Sequence, residues 1–182
     1  LKNGQLAVLT SKPIVGRVSQ EGLAFLPLQY TRLPQEVEPG DRILIDDGLL
    51  ELAVRETTDD EIKCEVVVGG LLKSNKGLNL PNASMSIPAI SEKDWSDLAF
   101  ALTEGVDWIA LSFVRSANEV RQLKTRIGEL SEFGRPVPVM AKIEKPEAVA
   151  AIDGIIAEAD AIMVARGDLG IETAPERVPM VQ

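Results

Sequence analysis

Lys142 and Glu144 stand two residues apart in Val139-Met-Ala-Lys-Ile-Glu144, and Asp168 follows the apolar run Ala161-Ile-Met-Val-Ala165. Val137, Val139, Ala141 and Ile143 alternate with other residues at the period of an extended chain. On such a strand Lys142 and Glu144 share a face, with Cα atoms about 6.5 Å apart. A cation and two carboxylates at the carboxyl ends of adjacent parallel strands is where α/β folds put their sites. Carboxylates without His or Cys suit a hard, oxygen-seeking ion, Mg²⁺ or Mn²⁺, completed by waters and substrate oxygens. The same residues also fit a plainer pattern, a surface ion pair between Lys142 and Glu144 with Asp168 as a helix cap.

The elements that position these groups are legible in order. Pro146 suits the first turn of a helix, and Ala148 to Ala159 is long enough to cross back over a sheet. Strand, helix, strand then makes the two strands parallel. Upstream, Ser91 with Asp94 and Ser116 with Glu119 have capping-box spacing. Trp95, Leu98, Ala99 and Leu102 follow the first box at helical spacing, with Gly105 ending that helix. Val106 to Phe113 reads as a buried strand, and Val120, Leu123 and Ile127 form one face of the next helix. This βα alternation points to a parallel α/β layer or barrel over residues 89–182.

Residues 1–88 read as all-β. Runs at Leu6, Arg42, Leu49 and Ile62 are short and alternating or β-branched, separated by Gly, Pro, Asn and Asp. Asp46-Asp47-Gly48 marks a hairpin and residues 57–60 the next turn. The expectation is a small barrel or sandwich of about five to eight strands. On residue type alone, Asp47 is a turn former and Lys76, in Ser74-Asn-Lys-Gly77, a solvated lysine.

Composition narrows the chemistry. The chain has 182 residues and a net charge of −9 with no basic run, which argues against nucleic acid or an anionic membrane as partner. No apolar run approaches a membrane span and no signal peptide is evident. Cys64 is alone, so a reducing cytoplasm is the simplest compartment. There is no His, so acid–base work falls to Lys, Glu, Asp, Tyr30 or water.

The motifs carry a resemblance. VMAKIEKPEAV resembles the active-site signature of pyruvate kinases, and IMVARGDLGIE the strand that follows it there. IDDGLLEL, KSNKGLNLP, IPAISEKDW and VDWIALSFVRS extend the match over essentially the whole chain, most weakly in the first forty residues. The resemblance implies an α/β fold: a partial (β/α)8 TIM-type barrel (89–182) preceded by a small all-β barrel domain (1–88) that closes over the active site. It implies phosphoryl transfer from phosphoenolpyruvate to ADP, giving pyruvate and ATP, with Mg²⁺ or Mn²⁺ on Glu144 and Asp168. Lys142 would be catalytic and bind the phosphoryl group, and the backbone at Ala165, Arg166 and Gly167 would bind the substrate carboxylate. Lys76, which matches the lysine of the family's KKGVNLP, would contact nucleotide phosphates, with Asp47 as a weaker contact. K⁺ and a homotetramer are implied for the complete enzyme.

The family's arginine, its K⁺ ligands and its late threonine match no position between Leu1 and Gln182; Thr173 follows GDLGIE too closely to be that threonine. The expectation is therefore a piece of the family's chain, the β-domain without its start plus barrel strands three to five, inactive in isolation. Two other readings stand beside it: a Mg²⁺-dependent lyase or mutase acting on pyruvate or phosphoenolpyruvate, and a non-catalytic structural fragment. The β-domain before Asp94 and the Lys-x-Glu order count against the lyase.

Overall fold

The structure is a computed structural model that describes residues 1–81, 86, 88–131 and 136–182. The chain forms two compact units, Leu1–Ser86 and Ile87–Gln182.

The first unit is built on one mixed sheet. Its strands are β1 (Leu6–Thr10), β2 (Arg17–Val18), β3 (Ala24–Pro27), β4 (Arg42–Ile45), β5 (Leu50–Thr57), β6 (Glu61–Val68) and β7 (Leu78–Asn79). Their order is β2-β3-β1-β6-β5-β4-β7. Only β1 and β3 pair in parallel; the other neighbours are antiparallel. Strict alternation places Leu50, Leu52 and Val54 of β5 in the core with Ile62, Cys64 and Val66 of β6. Burial pushes the Cys64 thiol up to about 12, so it is inert at neutral pH. Among the described residues the all-β expectation has one exception, the helix α1 (Leu33–Glu36), where Pro34 sits in the first turn and Leu33 fills the core.

The second unit alternates helix and strand. It comprises α2 (Glu92–Thr103), β8 (Ile109–Leu111), α3 (Ala117–Leu130), β9 (Val139–Ile143), α4 (Pro146–Ala150), α5 (Ile152–Glu158), β10 (Ala161–Val164), α6 (Arg166–Glu172) and α7 (Val178–Val181), with a 3-10 turn at Pro175–Arg177. The strands form a parallel sheet in the order β10-β9-β8. Ser91 Oγ accepts from Asp94 N–H, and the Asp94 carboxylate accepts from Ser91 N–H at 2.7 Å, the reciprocal start of α2. Glu119 likewise accepts from Ser116 N–H at 3.0 Å. Val120, Leu123 and Ile127 of α3 and Ile155 of α5 cover Val139, Ala141 and Ile143 of β9. The single helix expected from Pro146 to Ala159 is two, α4 and α5, divided at Ala151, whose φ and ψ of −102° and 16° leave the helical region. Among the described residues no helix is long and apolar enough to cross a membrane.

Asp160 locks the entry of β10 to its neighbours. Its carboxylate accepts from Val139 N–H at 2.8 Å and from Lys124 Nζ at 2.9 Å. Those two donors, the backbone N–H foremost, hold its pKa below the usual carboxylate value. A depressed native pKa stabilises the fold fully above the unfolded value of ~3.9 and ceases to do so as pH falls through the lower native value. Asp160→Ala is expected to cost on the order of 1–2 kcal/mol at neutral pH. In urea melts the gap to wild type should narrow below about pH 4; equal stability at pH 7 would contradict this.

Candidate active site at the strand ends

The face of β9 opposite the core carries Met140 and Lys142, and the chain leaves the strand at Glu144. Val164 of β10 lies beside Ile143, and Ala165 N–H donates to Ile143 O at 3.1 Å. Glu144 and the start of α6 therefore leave the sheet side by side, at the carboxyl ends of neighbouring strands.

Glu144 is only 1% exposed. A carboxylate so buried must be paired and hydrogen-bonded. Its Oε1 faces Lys142 Nζ at 2.6 Å, and its Oε2 accepts from Phe113 N–H at 2.8 Å. Lys142 Nζ also donates to Ser112 Oγ at 3.0 Å. Lys142 and Glu144 do form an ion pair, but one whose carboxylate is buried and whose lysine is 26% exposed, built into the strand ends rather than lying on the surface.

Phe113 makes this geometry possible. Its φ is 55°, in the left-handed region that bulky residues avoid. Such a backbone costs on the order of 1–3 kcal/mol and persists only where its surroundings hold it. The turn takes Phe113 N–H away from the sheet and aims it at Glu144. It also ends β8 at Leu111, two residues short of the strand expected from the sequence. Ser112 and Phe113 were not singled out by sequence reasoning; their only signal was their place in VDWIALSFVRS at a strand end.

Asp168 lies in the first turn of α6 and is exposed. It is not the cap: Ala165 holds that position. Arg166 and Gly167 open the helix and are exposed, and a Cβ added at Gly167 would meet nothing within 4 Å. Packing within the chain therefore does not demand a glycine there, and the space in front of it is free.

Glu144 and Asp168 are the groups that could hold a divalent cation. Among the described residues no group of three or more His, Cys, Asp and Glu side chains is placed to hold a metal ion. Two carboxylates are hard oxygen donors, which suit Mg²⁺ or Mn²⁺ better than a soft metal. The Lys142 ammonium already meets one oxygen of Glu144, so that carboxylate is placed to face positive charge.

The first unit holds the other two candidates. Lys76 Nζ pairs with Asp46 at 2.8 Å, not with Asp47. The Asp46 carboxylate, through hydrogen bonding first and charge second, pushes the Lys76 pKa up. Asp46 N–H donates to Gly77 O at 3.2 Å, so the hairpin tip and the Lys76 loop are joined through backbone as well. Asp46 and Asp47 both have φ 55°, and Gly48 has φ 81°, which accounts for the Asp-Asp-Gly choice.

Comparison with known proteins gives the family of the chain. The family model for the barrel domain of pyruvate kinase matches residues 1–182. The pyruvate kinase of Corynebacterium efficiens is 52% identical over 153 residues, 84% of this chain and 32% of that protein. Pyruvate kinase 2 of Synechocystis is 45% identical over 184 residues, spanning all of this chain and 30% of its own. The enzyme of Thermococcus litoralis is 41% identical over 182 residues, again all of this chain and 37% of that protein. The chain spans about a third of the length of the curated relatives it matches. By motif, strand-end geometry and family match together, this chain belongs to the pyruvate kinase family.

Proposed function

We propose that the chain supplies the catalytic strand ends of a phosphotransferase that moves the phosphoryl group of phosphoenolpyruvate to ADP. The observation that carries this is the Lys142–Glu144 pair with its buried carboxylate, fixed on one side by Ser112 and on the other by Phe113 N–H. Phosphoryl transfer needs positioning and charge neutralisation more than covalent chemistry. Residues 1–88 are the lid domain in this reading, and 89–182 part of a (β/α)8 barrel.

Each residue has a role. Lys142 places its ammonium on the phosphoryl oxygens and on the enolate that forms as the P–O bond breaks. Glu144 and Asp168 would hold the divalent cation, which, when bound, would supply positive charge to neutralise the transferring group. The backbone at Ala165, Arg166 and Gly167 binds the substrate carboxylate through the N–H groups of Arg166 and Gly167, that of Ala165 being given to Ile143 O, with open space at Gly167 for close approach. Lys76 contacts nucleotide phosphates. Asp47 lies beside the residue that orients Lys76, and we place it as a weaker contact. K⁺, a homotetrameric assembly and a cytoplasmic site belong to the same reading of the complete enzyme.

The test is pyruvate formation by the full-length gene product. It should require phosphoenolpyruvate, ADP and Mg²⁺ together; pyruvate formed at the same rate without ADP would refute the proposal. The isolated 182-residue chain is expected to show no turnover. Its second unit holds a three-stranded parallel sheet and exposes Phe100, Trp108, Ile156 and Met180, and parallel sheets are normally covered on both faces. Limited proteolysis should cut first between residues 89 and 182. A protease-resistant chain that turns over substrate would contradict this.

A further inference from the structure

Lys145 follows Glu144 directly, at the cap of α4, and Glu172 lies four residues beyond Asp168 at the end of α6. The Lys145 ammonium donates to Glu172 Oε1. Both side chains are withdrawn from solvent, 13% and 3% exposed. The pair therefore ties the segment carrying Glu144 to the helix carrying Asp168.

A buried pair of this kind contributes little net stability, because desolvation of both charges offsets their attraction. What it fixes is geometry. α6 is a seven-residue helix that departs from β10 at Ala165, held at its middle by the buried Leu169. The Lys145–Glu172 contact is a second anchor, near its far end, and sets its angle to β9. The same ammonium lies 5.9 Å from the centre of the Phe113 ring, within cation–π reach. Phe113 in turn is the residue whose N–H holds Glu144 Oε2. One lysine thus braces the support of Glu144 and the helix of Asp168.

We propose that Lys145 and Glu172 are positioning residues that set the spacing between Glu144 and Asp168 and thereby the affinity for the divalent cation. This rests on the reading of those two carboxylates as the cation's holders.

Electrostatics and geometry give opposite expectations for Lys145→Met. Removing a positive charge near the site would by itself tighten cation binding. Losing the brace would weaken it. Mn²⁺ titrations of the full-length protein without substrates, read by electron paramagnetic resonance of the free ion, decide between them. Lys145→Met should bind Mn²⁺ about 10-fold more weakly, the lower end of the range for groups that orient metal ligands. Glu172→Asp, which keeps the charge and shortens the reach, should weaken binding in the same direction and carries the test if Lys145→Met does not fold. Lys145→Arg, which can remake the pair, should stay within about 3-fold of wild type. Unchanged or tighter Mn²⁺ binding in folded Lys145→Met or Glu172→Asp overturns the brace. If Asp168→Asn also leaves Mn²⁺ binding unchanged, the reading of the metal site falls instead.

Discussion

Lys142→Met in the full-length protein is expected to lower kcat by about 10³-fold or more, with KM for phosphoenolpyruvate changed far less. The ammonium is held at 2.6 Å from Glu144 Oε1 and 3.0 Å from Ser112 Oγ, so it is aimed before substrate arrives. A charge fixed in advance stabilises the transition state without reorganising when the reaction occurs. The substitution has a second consequence. It leaves Glu144 buried without its cationic partner, and breaking a buried pair from one side is destabilising by about 3–5 kcal/mol. Lys142 is partly exposed, so the cost should fall below that range. Thermal melts with and without Mg²⁺ separate the two effects: a divalent cation on Glu144 should restore part of the lost stability but none of the rate. Steady-state kinetics in which KM rises and kcat holds would reduce Lys142 to a binding residue.

Asp168→Asn is expected to raise the Mg²⁺ concentration needed for activity by about 10-fold or more, with the fold untouched. It is the cleaner of the two carboxylates to remove. Asp168 is exposed in the first turn of α6, and exposed substitutions generally shift stability by no more than about 0.5 kcal/mol. Glu144→Gln would confound metal loss with the loss of a buried charge that holds Lys142 and Phe113. Activation by Mg²⁺ that is the same in Asp168→Asn and wild type would remove Asp168 from the site.

Much of the site is legible in the sequence because it depends on short spacings. Alternation along Val139 to Ile143 places Lys142 opposite the core, and a two-residue step places Glu144 with it. The end of β10 follows from where the apolar run ends; the helix that opens at Arg166 does not. What is not legible depends on backbone strain and on partners distant in sequence. Phe113 adopts a left-handed φ of 55°, a conformation no propensity assigns to an aromatic residue, and so the expected strand runs two residues too far. Ser112 reaches Lys142 across 30 residues of sequence, and Lys145 reaches Glu172 across 27. Lys76 is another case: residue type makes it a solvated lysine and Asp47 a turn former, but the lysine pairs with Asp46, whose carboxylate the turn directs toward it. The four-residue α1 and the break at Ala151 are too short to leave a periodic signal.

Phosphorus NMR of the full-length protein with phosphoenolpyruvate, ADP and Mg²⁺ tests the central claim most directly. The account predicts that the phosphoenolpyruvate resonance is replaced, one for one, by the γ-phosphate of ATP, and that Lys142→Met slows this exchange by about 10³-fold. Loss of phosphoenolpyruvate into inorganic phosphate or a carbon-bonded phosphorus product, with ADP unchanged, would contradict it.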